Sequence, residues 1–301
     1  MKSSFFLLAL AAVFVAASPI VEQPDADVDF DSLDSFGSDD AFDVAVHELE
    51  ARKVTHKKVG ISADWNTPKQ GAAVAHLKNN HTSAHYNWSP WKFDNLPKGI
   101  SFWPMLHGEE SIKDWGHVTK GYGITAMGCN EVNHAGQSKM TVKRGVEIWK
   151  KYLMPLKNKG YKLVSHSTDQ SASGTAWQKA WRKACPACHK SVWAYSVHWY
   201  GTDPAAFKKY VTNMHKITGK PIVVTEFACT DFSGQKKCDA AKAKAFMDNV
   251  TSWMNAQDWI PAYFWFGAWP AGSMPGGVQG ANSIVDGNGN PTALGKHYMQ
   301  R

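Results

Sequence analysis

The sequence predicts a single-domain α/β protein of the (β/α)8 TIM-barrel class. Eight short apolar segments typical of buried strands follow one another, and segments with helical periodicity separate most of them. Together they occupy about 245 residues, close to the usual length of one such barrel. A doubly wound sheet is the alternative architecture, but the count of eight strands and the single-domain length favour the barrel.

The first half of the predicted barrel contains four strands and one helix. The strands end beside polar or aromatic side chains and cover residues 58–63, 83–88, 100–106 and 124–131. The helix covers 111–120, between the third and fourth strands. The fourth strand finishes on Glu131. A carboxylate at a buried strand end is costly unless it is paired or used, so Glu131 becomes a candidate functional residue.

The second half alternates helices and strands more regularly. A helix is predicted over 140–158, because apolar residues recur every three or four positions and Gly160 then ends it. Further helices are predicted over 176–184, 203–219 and 240–255, and residues 294–299 close the chain. The strands cover 162–168, 192–200, 221–227 and 260–268. The seventh strand repeats the design of the fourth, since its apolar run leads directly into Glu226.

Residues 1–52 differ from the rest and are predicted to lie outside the domain. Lys2 precedes an apolar run from Phe5 to Ala17, which predicts a signal peptide over residues 1–18. Residues 19–50 contain eight Asp and three Glu but no Lys or Arg, so 19–52 is predicted to be a disordered acidic leader or pro-segment. The folded domain is then 53–301. We expect a secreted monomer that has no membrane segment after signal cleavage.

Without residues 1–52 the chain is strongly basic, with 31 Lys and Arg against 15 Asp and Glu, or about +16. Scattered lysines of this kind are most simply solvated helix faces. Attraction to an acidic cell wall or matrix is the alternative interpretation. No nucleic-acid-binding motif accompanies the charge, so we expect no nucleic-acid partner.

A secreted chain with five cysteines is expected to carry disulfides. Cys229 and Cys238 flank a short loop after the seventh strand and are predicted to pair. Cys185 and Cys188 resemble half of a zinc or redox site, but no second such pair exists, so a local disulfide is favoured. Cys129 then remains a buried free thiol. Acceptor sequences for N-linked glycans occur at Asn80, Asn87 and Asn249, of which the second lies in a predicted strand.

The residues at the strand ends predict the chemistry of the barrel mouth, because active sites of this fold lie at the C-terminal ends of the strands. These ends are aromatic, carry carboxylates and contain no lysine. They comprise Asp64, Trp65, Tyr86, Asn87, Trp88, Trp103, Asn130, Glu131, His166, His198, Trp199, Tyr200, Glu226, Trp265 and Phe266. Sugar rings stack on aromatic side chains, and carboxylates and amides hold hydroxyl groups, so this composition fits a carbohydrate cleft.

Two carboxylates across one mouth are what cleavage of a glycosidic bond requires. One protonates the leaving oxygen, and the other attacks the anomeric carbon or activates water. Asn130 precedes Glu131 and is placed to bond the sugar 2-hydroxyl. The plainer interpretations are structural ion pairs for the glutamates, a satisfied buried imidazole for His198, and barrel packing for the tryptophans. Motifs of serine hydrolases, zinc proteases and phosphate-binding loops are missing, and we expect no cofactor and no metal.

Several segments together resemble glycoside hydrolase family 128, the fungal-type endo-β-1,3-glucanases with an alkali-sensitive-linkage-protein-like domain. They are residues 128–131, 146–149, the pair Cys185 and Cys188, 198–201, 224–228 and 263–267. The resemblance implies a retaining barrel hydrolase of β-1,3-glucan, with Glu131 as acid/base and Glu226 as nucleophile. It also places Tyr86, Trp88, Trp103, Trp199, Tyr200 and Trp265 where glucan-contacting aromatics are expected, and His198 beside them.

The chain departs from this family at the loop after the fourth strand. The family usually has Pro-Asp after the Asn-Glu pair, whereas Val132 and Asn133 stand here, and Cys129 replaces an aromatic residue. This departure keeps two alternatives open. One is a glucan-binding or wall-associated barrel that does not hydrolyse its ligand, and the other is a hydrolase of another β-linked glycan such as mannan or cellulose.

Overall fold

The computed structural model describes residues 57–301 of the chain. The predicted signal peptide and acidic leader lie outside the described residues. The described part belongs to one compact unit that runs from Thr55 to Arg301. Within it, no helix is both long enough and apolar enough to cross a membrane.

Eight parallel strands form the centre of the described part. In chain order they are β1 (Val59–Ser62), β2 (Thr82–Tyr86), β3 (Ser101–Phe102), β4 (Thr125–Met127), β5 (Lys162–Val164), β6 (Tyr195–Tyr200), β7 (Ile222–Ala228) and β8 (Ala262–Trp265). Regular pairing produces a six-stranded sheet in the order β3-β2-β1-β8-β7-β6 and a two-stranded sheet of β4 and β5.

Two single bridges close these sheets into a barrel. Met105, just after β3, pairs in parallel with Met127 of β4, and Val164 of β5 pairs in parallel with Ala194 before β6. Backbone hydrogen bonds support both junctions, with Leu106 N donating to Met127 O at 3.0 Å and Ser165 N donating to Ala194 O at 3.0 Å. Each strand therefore adjoins its neighbours in sequence, and β8 adjoins β1. The predicted (β/α)8 fold is confirmed.

Helices surround the strands. The α-helices are α1 (Gly71–Leu77), α2 (Val142–Ile148), α3 (Met154–Lys157), α4 (Ala172–Ala184), α5 (Pro186–Ser191), α6 (Pro204–Thr218), α7 (Ala240–Asn255) and α8 (Ala293–Tyr298). A 3-10 helix covers Glu109–His117, and three further short 3-10 turns follow β8 at Ala271–Ser273, Pro275–Gly277 and Gly280–Asn282.

The helix predicted over 140–158 is interrupted in its middle. A π-helical turn, Trp149–Leu153, separates α2 from α3. Pro155 lies just beyond this turn, and it has no N–H for an intrahelical bond. A wider turn before a proline is a common way to absorb that missing bond.

Two apolar clusters hold the barrel together. The inner cluster fills the barrel and includes Tyr86, Trp103, Met127, Val164 and Phe264. The outer, larger cluster lies between strands and helices and includes Trp265 and Phe227. Because successive side chains of a strand point to opposite faces, this alternation decides which strand-end residues can reach the mouth.

Candidate active site

The two strand-end glutamates lie together at the C-terminal mouth of the barrel. One carboxylate oxygen of Glu131, one ring nitrogen of His198 and one carboxylate oxygen of Glu226 all lie within 4.8 Å of one another. The three residues are 9%, 0% and 5% exposed. Residues from β6, β7 and the segment after β4 thus converge on one buried, charged cluster.

An irregularity in β7 aims Glu226 at this cluster. Val197 pairs with Val224, but the next residue of β6, His198, pairs with Glu226, so β7 contains one extra residue. The pairing with β8 shifts within the same stretch of β7. Such a bulge re-aims a side chain locally, and bulges are common beside active sites. Below it, Tyr86 donates its hydroxyl to the backbone oxygen of Thr225 at 2.8 Å.

Two aromatic donors hold the Glu226 carboxylate. Trp88 Nε1 donates to Oε1 at 2.7 Å, and Tyr200 Oη donates to Oε2 at 2.6 Å. Burial raises the pKa of Glu226, and Glu131 raises it further, while His198, Tyr200 and Trp88 act in the opposite direction. Burial and the neighbouring carboxylates also raise the pKa of Tyr200, so its hydroxyl remains a donor. The donors stabilise the charged form of a carboxyl group that burial alone would neutralise.

Glu131 is held by its backbone as well as by its side chain. Its φ of 42° lies in the left-handed region, which is strained for a residue with a side chain. Ser167 Oγ accepts from Glu131 N at 2.9 Å and stabilises this conformation. Trp88 has a φ of 54°, so residues on both sides of the site store strain. Such strain persists only where the surrounding structure determines the conformation.

His166 supports the same segment from outside the barrel. Its Nδ1 accepts from Cys129 N at 2.8 Å, and its Nε2 donates to Gly145 O at 3.1 Å. Burial lowers the pKa of His166 to about 4, so the ring is neutral and carries its proton on Nε2. The ring contacts tryptophans between strand and helix and does not face the mouth. It positions the backbone two residues before Glu131.

His198 bridges the two glutamates. Its Nδ1 lies 2.8 Å from Glu131 Oε1 and 3.4 Å from Glu226 Oε2. Burial acts to lower the pKa of His198, but attraction to Glu226 and the hydrogen bond to Glu131 outweigh it and raise the pKa. A proton on Nδ1 therefore lies between two carboxylates. The side chain has no exposed surface, and its Nδ1 faces both glutamates.

The same three residues are the group that could hold a metal ion in the described part of the chain. Two carboxylates and one imidazole are a common ligand set for divalent cations. Here the imidazole already donates to Glu131, and hydrogen bonds account for the short distances. The predicted absence of a metal remains a prediction, which chelation tests below.

Aromatic rings line the mouth beside Glu226. Trp88 lies against Phe266 and Trp269, with ring centroids 5.6 Å and 5.5 Å away. Tyr200 lies between Phe266, at 5.5 Å, and Phe232, at 5.3 Å. These five rings form a continuous wall. Phe232 and Trp269 were absent from the sequence-based site, because they lie on loops beyond the strand ends.

The structure does not bring every predicted sugar-binding residue to this wall. Tyr86 is fully buried beneath Trp88, and Trp103 packs inside the barrel against Phe264 and Trp193. Trp265 is fully buried against Phe227 on the outer side of β8. Trp199 faces the helices, where its ring lies 5.6 Å from that of Tyr210. These positions match the barrel-packing interpretation, whereas Trp88 and Tyr200 contact Glu226 directly.

Asn130 lies beside Glu131 and is 3% exposed. Its Nδ2 donates to Gln137 Oε1 at 3.2 Å, and its Oδ1 accepts from Ser167 Oγ at 3.3 Å. Ser167 therefore orients both Asn130 and Glu131. It lies within the predicted fifth strand, 162–168, where nothing in the sequence indicates this role. Asn133, which stands where the family usually has aspartate, donates from Nδ2 to Asp169 Oδ1 at 2.8 Å and ties the loop to the next one.

Both predicted disulfides are confirmed. Cys185 pairs with Cys188, and Cys229 pairs with Cys238. Cys129 is a free, buried thiol whose pKa burial raises. Its backbone N–H is bonded to His166, so it belongs to the support of the site rather than to its chemistry.

The described barrel matches the model of a known family. A family model described as "Glycosyl hydrolase catalytic core" matches residues 61–298, which is most of the chain and contains both glutamates. The chain belongs to the glycosyl hydrolase catalytic core family. It is therefore a glycoside hydrolase by family, and its predicted resemblance to glycoside hydrolase family 128 is confirmed by the relatives below.

Three relatives locate the chain within this glycosyl hydrolase family. Alkali-sensitive linkage protein 1 of Schizosaccharomyces pombe is 25% identical over 216 residues, which cover 71% of this chain and 39% of that protein. A family 128, subgroup VI, exo-β-1,3-glucanase from Aureobasidium namibiae superimposes with a TM-score of 0.71 at 24% identity and covers 81% of this chain and 96% of its own.

The third relative is an oligosaccharide-binding protein. This family 128, subgroup VII, protein from Cryptococcus neoformans superimposes with a TM-score of 0.65 at 21% identity, covering 82% of this chain and 93% of its own. At these identities the two structural likenesses show the fold. The present chain spans well under half the length of the S. pombe relative.

Proposed function

We propose that this glycoside hydrolase cleaves β-1,3-glucan with retention of configuration, using Glu226 as nucleophile and Glu131 as acid/base. The observation that carries the proposal is the pair of carboxylates with oxygens within 4.8 Å of each other, one on the segment after β4 and one near the end of β7. Retaining enzymes hold their carboxyl groups about 5–5.5 Å apart, whereas inverting enzymes need about 6.5–9.5 Å to admit a water.

The contacts of Glu226 suit a nucleophile. Trp88 and Tyr200 each donate to a different oxygen, and the raised pKa of His198 favours a positive charge 3.4 Å from Glu226 Oε2. These groups favour the carboxylate over the neutral acid. Glu226 attacks the anomeric carbon, forms a glycosyl-enzyme ester and releases the leaving sugar. Water then cleaves the ester, and the two inversions return the original configuration.

The contacts of Glu131 suit an acid that later becomes a base. His198 holds Oε1, which leaves Oε2 to protonate the glycosidic oxygen as the bond breaks. After the leaving sugar departs, the carboxylate takes a proton from the attacking water. Asn130, next to Glu131, is proposed to bond the sugar 2-hydroxyl.

The substrate proposal rests on the relatives. The exo-β-1,3-glucanase of A. namibiae has the same fold, and the aromatic wall beside Glu226 offers flat apolar surfaces to sugar rings. Cleavage at internal bonds of the glucan remains the prediction for this protein. Laminarin digestion tests it: a spread of oligosaccharides from the first minutes supports internal cleavage, and glucose alone points to an exo enzyme. A Glu226→Gln variant that matches wild type would overturn the nucleophile assignment.

Secretion is part of the proposal. Two disulfides are typical of oxidising compartments, and residues 1–18 have the pattern of a signal peptide. A secreted monomer with a basic surface would meet glucan in an extracellular matrix or cell wall. Recovery of the protein from the culture medium, with its N-terminus beyond residue 18, is the corresponding measurement.

A second candidate function is binding of glucan without hydrolysis. The oligosaccharide-binding protein of C. neoformans shares the fold, and Val132-Asn133 replaces the usual Pro-Asp after the acid/base. Incubation with insoluble β-1,3-glucan separates the two: retention on the glucan without reducing sugar over several days favours the binding protein. Parallel incubation with mannan and cellulose tests a hydrolase of another β-linked glycan.

A further inference from the structure

A loop closed by a disulfide presents an exposed phenyl ring beside the paired glutamates. Phe232 lies in the loop between Cys229 and Cys238, directly after β7. Its ring centroid is 5.3 Å from that of Tyr200, whose hydroxyl donates to Glu226 at 2.6 Å. Phe232 is the only apolar residue between the two cysteines, and it is 55% exposed.

Hydrogen bonds fold the exposed part of this loop around Asp231. Its Oδ1 accepts from Ser233 N at 2.9 Å, and its Oδ2 accepts from Lys236 N at 2.7 Å. The hydroxyl of Ser233 also donates to the Asp231 carboxylate. These bonds lower the pKa of Asp231, the bond to Ser233 most strongly. The backbone on both sides of Phe232 is thereby fixed, although the ring itself lies in solvent.

The base of the loop is fixed separately. Cys229 N donates to Asn282 Oδ1 at 2.9 Å, and Cys238 N donates to Gln279 Oε1 at 2.6 Å. Asn282, which is fully buried, returns a bond from Nδ2 to Cys229 O at 2.8 Å. The disulfide and these bonds attach the loop to the segment after β8. The backbone that carries the ring is thus fixed before a ligand arrives, which reduces the entropy lost on binding.

Other exposed apolar side chains differ from Phe232 in their surroundings. In the described part, the large ones are Trp65, Trp91, Ile124 and Phe232. Trp65 lies against Phe93, and Trp91 stacks on His117. Ile124 directly precedes β4 and so lies at the opposite end of the barrel from the glutamates. Single exposed apolar residues are common, so the position of Phe232 next to Tyr200 is what distinguishes it.

We propose that Phe232 stacks on a glucose ring of the bound glucan two rings away from the one that Glu226 attacks, and thereby determines specificity for longer chains. The inference rests on the proposed function. Sugar rings present an apolar C–H face, and a flat aromatic ring covers it while burying area from water. Tyr200 holds the carboxylate, and Phe232 continues the aromatic wall by one ring away from it. A glucan that is too short does not reach Phe232.

The test measures oligosaccharide binding by calorimetry in a Glu226→Gln background, which prevents hydrolysis. Phe232→Ala is expected to weaken the binding of laminarihexaose about tenfold, or about 1.4 kcal/mol, and to leave laminaribiose within about twofold. Phe232→Leu keeps an apolar side chain but no flat face, so it should resemble Phe232→Ala. Phe232→Trp should restore tight binding. Ile124→Ala, which removes an exposed apolar side chain at the other end of the barrel, serves as the matched control.

The outcomes separate this inference from the proposed function. Equal affinity of Phe232→Ala and its parent for laminarihexaose would overturn the inference and leave the function intact. An equal loss for both oligosaccharides would also overturn it, because that result indicates a general effect on the site. A parent that binds neither oligosaccharide would overturn the proposed function and the inference with it. Kinetics offer a second readout: with active enzyme, Phe232→Ala should raise KM for long substrates and largely preserve kcat.

Discussion

Replacing His198 with asparagine should move the acidic limb of the pH profile to higher pH. Asparagine places Nδ2 near the position of the imidazole Nδ1, so it keeps a donor for Glu131 Oε1 and removes the positive charge. His198 holds the pKa of Glu226 down, against the larger opposing effect of burial. Without that charge the pKa of Glu226 rises. The nucleophile then becomes protonated, and inactive, at a higher pH than in wild type.

The distance sets the scale of the effect. A charge pair separated by 3.4 Å attracts by about 5 kcal/mol at an effective dielectric constant of about 20. Because other hydrogen bonds and burial also act on both groups, only part of this attraction is expressed as a shift in the pKa of Glu226. A shift of the acidic limb by about one pH unit needs only about 1.4 kcal/mol. We therefore expect kcat/KM of His198→Asn to fall at acidic pH with a midpoint at least about one pH unit higher than that of wild type.

The assay is kcat/KM for laminarin hydrolysis between pH 3 and pH 8, on wild type and variant. His85→Asn is the matched control, because His85 is also fully buried, but on β2, where burial lowers its pKa to about 4. Its Nδ1 contacts Ile61 O, and it does not touch either glutamate. The control should keep the wild-type limb. An unmoved limb in His198→Asn, or one displaced to lower pH, would refute the assigned role of His198.

Three further results are expected. Tyr200→Phe removes the hydroxyl that donates to Glu226 Oε2 at 2.6 Å, and kcat on laminarin should fall about 100-fold with little change in KM; an unchanged kcat would contradict the role. Lys58→Met leaves three carbonyl oxygens near the end of α7 without their ammonium donor. Urea unfolding should therefore show that the free energy of unfolding falls by about 1–3 kcal/mol. The control Lys57→Met, at an exposed position, should show almost no change. Prolonged dialysis against EDTA should leave activity unchanged, since a proton on His198 bridges the carboxylates; loss of activity that a divalent cation restores would show a metal site instead.

Counting strands was sufficient to bring the two glutamates to one site. An apolar run that ends in a carboxylate is visible in sequence, and strands four and seven of a closed barrel place such ends at one mouth. The sequence was less informative about how many residues of each strand pair regularly with its neighbours. The third predicted strand, 100–106, pairs regularly only over Ser101–Phe102, because Pro104 has no N–H to donate to a neighbouring strand.

The sequence could not determine which strand-end side chains point into the mouth and which point toward the helices. Trp199 and Tyr200 are neighbours in β6, yet one faces the helices and the other contacts Glu226. The extra residue in β7 also changes which side chain reaches the mouth, and nothing in the run from Val223 to Phe227 predicts it. His198 was placed among sugar-binding residues, whereas the structure buries it between the glutamates.

The most direct measurement of the central claim is the identity of the residue that becomes glycosylated. Incubation with an activated β-glucoside that carries fluorine at C2 should slow hydrolysis of the glycosyl-enzyme enough for mass spectrometry of its peptides. The account predicts one adduct per chain, on Glu226, and none in Glu226→Gln. An adduct on Glu131, or release of the α-anomer as first product without any adduct, would contradict it.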